Sequence, residues 1–229
     1  MNAKVDVKGT RLVLLPQRLA WLPEHHTLLV ADAHFGKAVS FRRLGVPVPQ
    51  GTTADALARL SQALAFSSAR RIVFLGDLLH SVRSLAPQTR ATLSAWRTAN
   101  VDLELTLVRG NHDDHAGDPP GDWRFNVVDE PLFLPEVPGL ALMHHPRPQA
   151  DAYVLAGHLH PGAVLGGRGV DRLRLPAFHF GATVGVLPAF GAFTGLHVMP
   201  RVAGDRVFVI AGDTVRALPA LPSLHTLAA

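Results

Sequence analysis

Residues 105–115 read LTLVRGNHDDH, a short apolar run followed by Asn111, His112, Asp113 and Asp114. The run is rich in Leu and Val and ends near a glycine, which predicts a buried strand. Side chains that bind metals or transfer protons therefore follow directly on the end of a predicted strand.

The same arrangement recurs at four other predicted strands. The polar groups are Asp32 and His34 after LLVA, Gly76, Asp77 and His80 after IVFL, His144 and His145 after LALM, and His158 and His160 after YVLA. In open α/β sheets, ligands bind at the carboxyl ends of the strands. We therefore expect the five clusters to converge on one site.

Helical patterns lie between these strands. The segment 52–69 is predicted as a helix with Thr52 or Thr53 as its N-cap, and 86–100 as a second helix with Pro87 in its first turn. Strands that alternate with helices predict an α/β layered fold.

The last third of the chain has a different pattern. After Gly162 we expect no helix, but short strands in DRLRLPAFHF, TVGVLPAF, GLHVMP and DRVFVIA, punctuated by Gly and Pro. This pattern favours a second sheet of meander type that packs on the first. We expect one domain over residues 1–229, with the motifs at about 28–200 and a surface tail at about 217–229.

Composition limits the classes of protein that fit. The chain is 48% hydrophobic and 17% charged, which indicates a globular protein. Cysteine is absent, which excludes disulfides, thiolate zinc sites and a cysteine nucleophile. No apolar run is long enough to predict a membrane span. The net charge of +4 suits an anionic partner such as a nucleic acid, although the preference for Arg over Lys that carries it is equally explained by a GC-rich genome.

The residue types at the strand ends indicate metal chemistry. Carboxylate, carboxamide and imidazole groups are ligands for divalent ions such as Mn, Fe and Zn. They are too many for one tetrahedral zinc, but they would suffice for two ions that share a carboxylate. Two ions about 3.5–4 Å apart activate a water and clamp the phosphate oxygens during phosphoester cleavage.

The order of the motifs resembles a known signature. Asp-x-His, Gly-Asp, Gly-Asn-His-Asp, a strand-ending His and Gly-His-x-His follow one another between residues 32 and 160. This set resembles the calcineurin-like metallophosphoesterases. The resemblance implies an α/β fold, a four-layer sandwich of two mixed β-sheets flanked by helices, and a hydrolase with two metal ions.

Three further stretches are similar to the ligase-associated branch of these enzymes, called PdeM. They are DAHFGKAVSFRRLGVPVP at 32–49, GDLLHS at 76–81 and LPAFGAFTG at 187–195. Members are bacterial DNA-repair enzymes similar to manganese-dependent single-strand DNA endonucleases. The resemblance implies single-stranded DNA as substrate, two divalent ions (Mn before Fe or Zn), and functional association with a DNA ligase, a helicase and an exonuclease. We also expect a cytoplasmic location, because the N-terminus lacks the long apolar run of a signal peptide.

The resemblance also implies a ligand set in which Asp77 bridges the two ions. The first ion would be held by Asp32, His34, Asp77 and His160, and the second by Asp77, Asn111, His144 and His158. Either His144 or His145 fits the pattern, and the resemblance favours His144.

The same resemblance assigns His112 to the substrate instead of the metal. Its ring would protonate the leaving oxygen, and Asp113 would orient it through the other ring nitrogen. Asp114 would be a solvated loop residue. His80 stands where many relatives carry Asp, and it would contact substrate, orient a ligand or cap the following helix.

Basic residues beyond the first motif are candidates for DNA contacts. Lys37, Arg42 and Arg43 would neutralise strand phosphates. A solvated helix face explains Arg42 or Arg43 equally well. His145 is a fourth candidate substrate contact; it would otherwise support a ligand or have no role in the site.

The leading interpretation is a two-metal endonuclease and phosphodiesterase that acts in DNA repair. The same ligands would serve a phosphomonoesterase or a cyclic-nucleotide phosphodiesterase. A non-catalytic scaffold would be expected to have broken ligands or a replaced His112, but all of these residues are intact.

Overall fold

Two mixed β-sheets form the framework of the computed structural model, which describes residues 1–166 and 172–222. The first sheet contains β1 (Ala3–Val7), β2 (Thr10–Leu15), β3 (Leu19–Leu22), β4 (Thr27–Ala31), β5 (Arg71–Leu75), β6 (Glu104–Val108) and β7 (Phe125–Val128). Its strands follow chain order, antiparallel from β1 to β4 and parallel from β4 to β7. The carboxyl ends of β4, β5 and β6 therefore meet at one edge.

The second sheet is built from strands that lie after residue 139. Its strands are β8 (Leu140–Leu142), β9 (Tyr153–Ala156), β10 (Pro161–Gly166), β11 (Arg172–Phe180), β12 (Val184–Val186), β13 (His197–Val198), β14 (Arg206–Ala211) and β15 (Thr214–Ala217). β8, β9 and β12 run parallel, while β11 pairs antiparallel with β10, β12 and β14. The expected second sheet is confirmed, and the described residues after Gly162 contain no helix. The sheet is mixed and not a simple meander, because β12 returns to pair parallel with β9.

Four α-helices connect the strands of the first sheet. They are α1 (Lys37–Arg43), α2 (Thr52–Ser67), α3 (Pro87–Ala99) and α4 (Asn111–Ala116). The predicted N-cap of α2 is wrong: Gly51, at φ 84°, occupies that position, and Thr52 is already the first helical residue. Pro87 begins α3 as expected, because a helix's first residue needs no amide hydrogen.

Two clusters of buried apolar residues hold the sheets and helices against each other. One lies between the sheets and joins Leu29 and Val73 of the first sheet to Leu155, Phe178 and Phe180 of the second. The other joins the opposite face of the first sheet to α2 and α3. Each fully buried Leu or Phe contributes roughly 1.5–3 kcal/mol, so these clusters hold the strand ends in register.

Residues 218–222 follow β15 without regular structure, while 223–229 of the predicted tail lie outside the described residues. Within the described ranges, no helix is long and apolar enough to cross a membrane.

Candidate metal centre

The five polar clusters converge where the carboxyl ends of strands from both sheets meet. Asp32 and His34 follow β4, Asp77 follows β5, and Asn111 begins α4 just beyond β6. His144 follows β8, while His158 and His160 follow β9. The convergence expected from the sequence is therefore present, and it includes donors from both sheets.

Three donors form what we call the first donor cluster: Asp32, His34 and His160. The Nε2 atoms of His34 and His160 lie 3.4 Å apart. His160 Nε2 is 3.6 Å from Asp32 Oδ1. All three donor atoms thus face a common point, which a single ion would fill.

The second donor cluster contains Asn111, His144 and His158. His144 Nε2 lies 2.9 Å from Asn111 Oδ1 and 3.1 Å from His158 Nδ1. The other nitrogen of His144, Nδ1, donates to the carbonyl of Leu75 at 3.0 Å. That bond fixes the tautomer in which Nε2 is free to bind a metal.

Asp77 lies between the two clusters. Its Oδ2 is 3.6 Å from His34 Nε2, and its Oδ1 is 3.5 Å from His144 Nε2. One carboxylate thus presents one oxygen to each cluster, which is the geometry a bridging ligand requires.

The charges of the site fit divalent cations. Asp32 and Asp77 are buried, at 0% and 2% exposure. In the described part of the chain, the only basic side chains within 4.0 Å of these two carboxylates are histidines. Burial, with a contribution from Lys37, lowers the pKa of His34 to about 2, and burial also lowers the pKa of His144. Buried carboxylates beside neutral imidazoles match a metal site, because ligands bind deprotonated.

The backbone at the site is unusual. Five of the seven predicted ligands have positive φ angles: Asp32 (51°), His34 (44°), Asp77 (53°), His158 (70°) and His160 (49°). Non-glycine residues adopt this conformation rarely, and such residues concentrate at functional sites. The turns at these residues place Asp32 with His34, and His158 with His160, at the same site although each pair is separated by one residue.

Gly76 is expected to be irreplaceable. It has φ 77°, and a Cβ atom there would lie 2.1 Å from His144 Nδ1. Gly76→Ala should lower the free energy of unfolding by about 1–3 kcal/mol for the backbone and about 1–3 kcal/mol for the clash. Urea unfolding measures the loss.

Gly45 supplies a matched control for that substitution. It has φ 76°, but a Cβ atom there would meet nothing within 4 Å. Gly45→Ala should therefore show the backbone contribution alone. Equal losses at the two positions would contradict the predicted contact between the Gly76 position and His144.

His112 lies beside the donor clusters with its ring partly exposed. Its Nδ1 donates to the carbonyl of His80 at 3.0 Å, and its Nε2 is 4.0 Å from Asp77 Oδ2. The His80 ring stacks on that of His112, with centroids 4.9 Å apart. His80 therefore orients His112, both through its carbonyl and through its ring.

The predicted role of Asp113 is wrong. Its carboxylate accepts hydrogen bonds from the backbone amides of Asp77, Leu78, Leu79 and Gly110 instead of from the His112 ring. The chain turns into α4 at Gly110, which directs Asp113 inward to the loop after β5. Asp113 therefore ties the two loops that carry Asp77 and Asn111 to each other.

The geometry also separates His144 from His145. His144 is fully buried with Nε2 in the second donor cluster, whereas His145 Nδ1 donates to Glu130 Oε1 at 2.9 Å. The choice of His144 as ligand remains a prediction, and these contacts favour it. No role for Glu130 was predicted from the sequence, because the short strand that precedes it, β7, was not recognised.

Glu130 should make stability depend on pH. Burial alone would raise its pKa, but hydrogen bonds from His145, Arg147 and His144 lower it from 4.5 to about 2. The ionised form is therefore favoured in the folded state, and its contribution is present above about pH 4.5 and lost as pH falls toward 2.

Glu130→Gln should thus reduce the free energy of unfolding by about 1–3 kcal/mol at pH 7. The difference from the wild type should shrink as pH falls below 4.5. Urea unfolding at a series of pH values measures it. A deficit that stayed constant with pH would show that the charge of Glu130 is not responsible.

The candidate DNA contacts lie on or near α1. Lys37 is half-buried, and burial lowers its pKa while Asp77 and Asp32 oppose that effect. Arg42 is exposed, donates to the carbonyl of Pro49 at 2.9 Å, and lines a cleft of about 790 Å³ between α1, α2 and α3. None of the described residues that line the cleft is acidic. Arg43 is exposed on the same helix.

Comparison with known proteins identifies the family. No protein-family model and no curated protein matches the chain. Among solved structures, the Pseudomonas putida nuclease MPE matches with a TM-score of 0.83 and 39% identity, covering 95% of this chain and 100% of that chain. Yfce, a phosphoesterase from E. coli, matches with a TM-score of 0.41 and 14% identity, over 86% of this chain and 99% of that chain. The ordered motifs and the similarity to the nuclease MPE show that the chain belongs to the calcineurin-like metallophosphoesterases, in the family of that nuclease.

Proposed function

We propose that this protein is a metal-dependent phosphodiesterase that cuts single-stranded DNA internally and acts in bacterial DNA repair. The observation that carries the proposal is Asp77, with one oxygen toward each donor cluster. The 39% identity to a nuclease supports a nucleic acid as substrate.

The donor set fits two divalent ions that share Asp77, and we propose Mn before Fe or Zn. Asp32, His34 and His160 would hold the first ion, and Asn111, His144 and His158 the second. When bound, the ions would supply an activated water and neutralise the negative charge of the phosphate. Asn111 contributes a neutral oxygen, which limits the negative charge of the site.

His112 acts on the phosphoester in this proposal. The His80 carbonyl holds its Nδ1, so Nε2 faces the space beside Asp77 where the phosphate would lie. A proton delivered from Nε2 would stabilise the leaving oxygen. His80 positions His112, and Asp113 maintains the loops.

A polymeric substrate suits the surroundings of the site. Lys37 lies near the carboxylates, and Arg42 extends the positive charge into a cleft whose described lining residues include no Asp or Glu. We propose that Lys37, Arg42, Arg43 and His145 contact the DNA backbone, which proteins bind mainly through basic and polar side chains. Functional association with a DNA ligase, a helicase and an exonuclease in the cytoplasm is part of the same proposal.

Circular single-stranded DNA tests this function, because a circle offers no ends. Metal-stripped protein would be incubated with the circle and with Mn, Mg, Zn or Fe added singly, alongside His112→Ala. We expect linearisation that requires both a metal and His112. An intact circle, with nitrophenyl phosphate esters still hydrolysed, would instead favour a phosphomonoesterase or a cyclic-nucleotide phosphodiesterase.

A further inference from the structure

Glu130 connects the two sheets at the metal centre. It lies two residues beyond the end of β7, on the edge of the first sheet, and its side chain contacts the loop after β8 of the second sheet. The side chain is 13% exposed. The hydrogen bonds of Glu130 explain why a carboxylate occupies this largely buried position.

One oxygen of Glu130 holds the main chain of the second donor cluster. Oε2 accepts from the backbone amides of His144 at 2.8 Å and His145 at 2.9 Å. The His144 carbonyl accepts from the Gly157 amide at 3.2 Å, and the His144 ring is held at Leu75. Three anchors thus fix His144, and Glu130 is the one made by a side chain.

The other oxygen of Glu130 accepts hydrogen bonds from side chains instead of from the main chain. Oε1 accepts from His145 Nδ1 at 2.9 Å and from Arg147. These contacts are to side chains that do not belong to either donor cluster. Oε2 therefore anchors the main chain at His144 and His145, whereas Oε1 orients the His145 side chain.

The segment before Glu130 is tied to the loop that carries Asn111. The Arg109 amide donates to the Val128 carbonyl at 2.9 Å, and the Arg109 guanidinium pairs with Asp129 at 2.9 Å. Arg109 is two residues from Asn111. Glu130 therefore holds His144 at a fixed place relative to Asn111, and these are two of the three donors in the second cluster.

The first donor cluster is anchored differently. Asp32 accepts from the backbone amide of His158 at 2.9 Å, which ties the loop after β4 to the loop after β9. None of the hydrogen bonds found for Glu130 in the described residues involves Asp32, His34 or His160. A change at Glu130 should therefore affect the two clusters unequally.

We infer that Glu130 is a positioning residue for the second metal ion, which it serves by holding the His144 main chain against Asn111. The inference rests on the proposed two-ion centre. Partners that orient metal ligands typically change metal affinity by about 10–100-fold when removed. The change should fall on one of the two ions.

Calorimetric titration of metal-stripped protein with Mn²⁺ tests the inference without any assay of cleavage. Glu130→Ala removes the acceptor for the His144 amide, whereas Glu130→Gln keeps an amide oxygen that can replace Oε2. Glu136→Ala is a matched control, because Glu136 pairs with Arg71 at the opposite end of β5. Electron paramagnetic resonance would report whether two Mn²⁺ ions lie close enough to couple.

We expect Glu130→Ala to bind the first equivalent as the wild type does and the second at least about 10-fold more weakly, with the coupled signal lost. Glu130→Gln and Glu136→Ala should bind two equivalents with near wild-type affinity. Two equivalents bound normally by Glu130→Ala would overturn the inference, as would equal losses of both ions in the Ala and Gln variants. A wild-type protein that bound fewer than two ions would instead refute the two-ion centre itself.

Discussion

Asp77→Ala is expected to abolish both the binding of two divalent ions and the hydrolysis of phosphodiesters. Asp77 offers one oxygen to each donor cluster, so its removal takes a ligand from both ions at once. It also leaves two mutually repelling dications without a shared anion. We expect less than two metal ions per chain after dialysis against Mn²⁺, and no cleavage of circular single-stranded DNA above background.

Two controls sharpen the Asp77 experiment. Asp77→Asn keeps the shape and one oxygen, which preserves the hydrogen bond that Oδ1 accepts from the His112 amide at 2.9 Å. It should fold normally and still lose activity. Asp114→Ala, an exposed carboxylate on α4, should behave as the wild type. Activity retained by Asp77→Ala would refute the shared-ligand assignment.

His112→Ala should have the second largest effect, and that effect should depend on the leaving group. The main-chain amide that contacts Asp77 remains, so metal content should match the wild type. Loss of a general acid should reduce the rate of DNA cleavage by about 10²–10⁴-fold. Nitrophenyl esters, whose leaving group needs no proton, should lose far less.

The two substrates act as controls for each other. Comparable losses on DNA and on nitrophenyl esters would show that His112 does not act as an acid toward the leaving oxygen. Loss of metal in this variant would show instead that His112 supports the ligands. Either result would require a different role for the His80–His112 stack.

The strands that carry the site could be predicted because of their burial. β4, β5 and β6 have helices on one face and the second sheet on the other, so their sequences are almost continuously apolar. The polar residue after each run is then conspicuous. The ordered motifs added the family and hence the pairing of the ligands.

Other strands escaped prediction for physical reasons. β7 is only four residues long and half-exposed, and β3 is equally short. β10 begins with Pro161 and contains two glycines, which weaken a strand pattern. Since β7 was missed, the meaning of Glu130 at its end was missed as well.

The role of Asp113 was predicted wrongly because adjacency in sequence does not determine hydrogen-bond partners. Asp113 is next to His112, but in the first turn of α4 successive side chains point in different directions. Three of the four donors that Asp113 meets are main-chain amides 34 to 36 residues earlier in the chain. Main-chain donors carry no sequence signal, so only the fold reveals them.

The division of the ligands between the sheets has a thermodynamic consequence. Asp32, Asp77 and Asn111 follow strands of one sheet and His144 and His158 follow strands of the other, so bound ions would add a cross-link to the apolar packing and hydrogen bonds that already join the sheets. By mass action, free metal at 1,000 times its dissociation constant would add about 4 kcal/mol to the apparent stability for each site. Resistance to heat and to proteases would then increase with the concentration of free metal. A chelator would destabilise the contact between the two sheets first, while the packing inside the two apolar clusters remained.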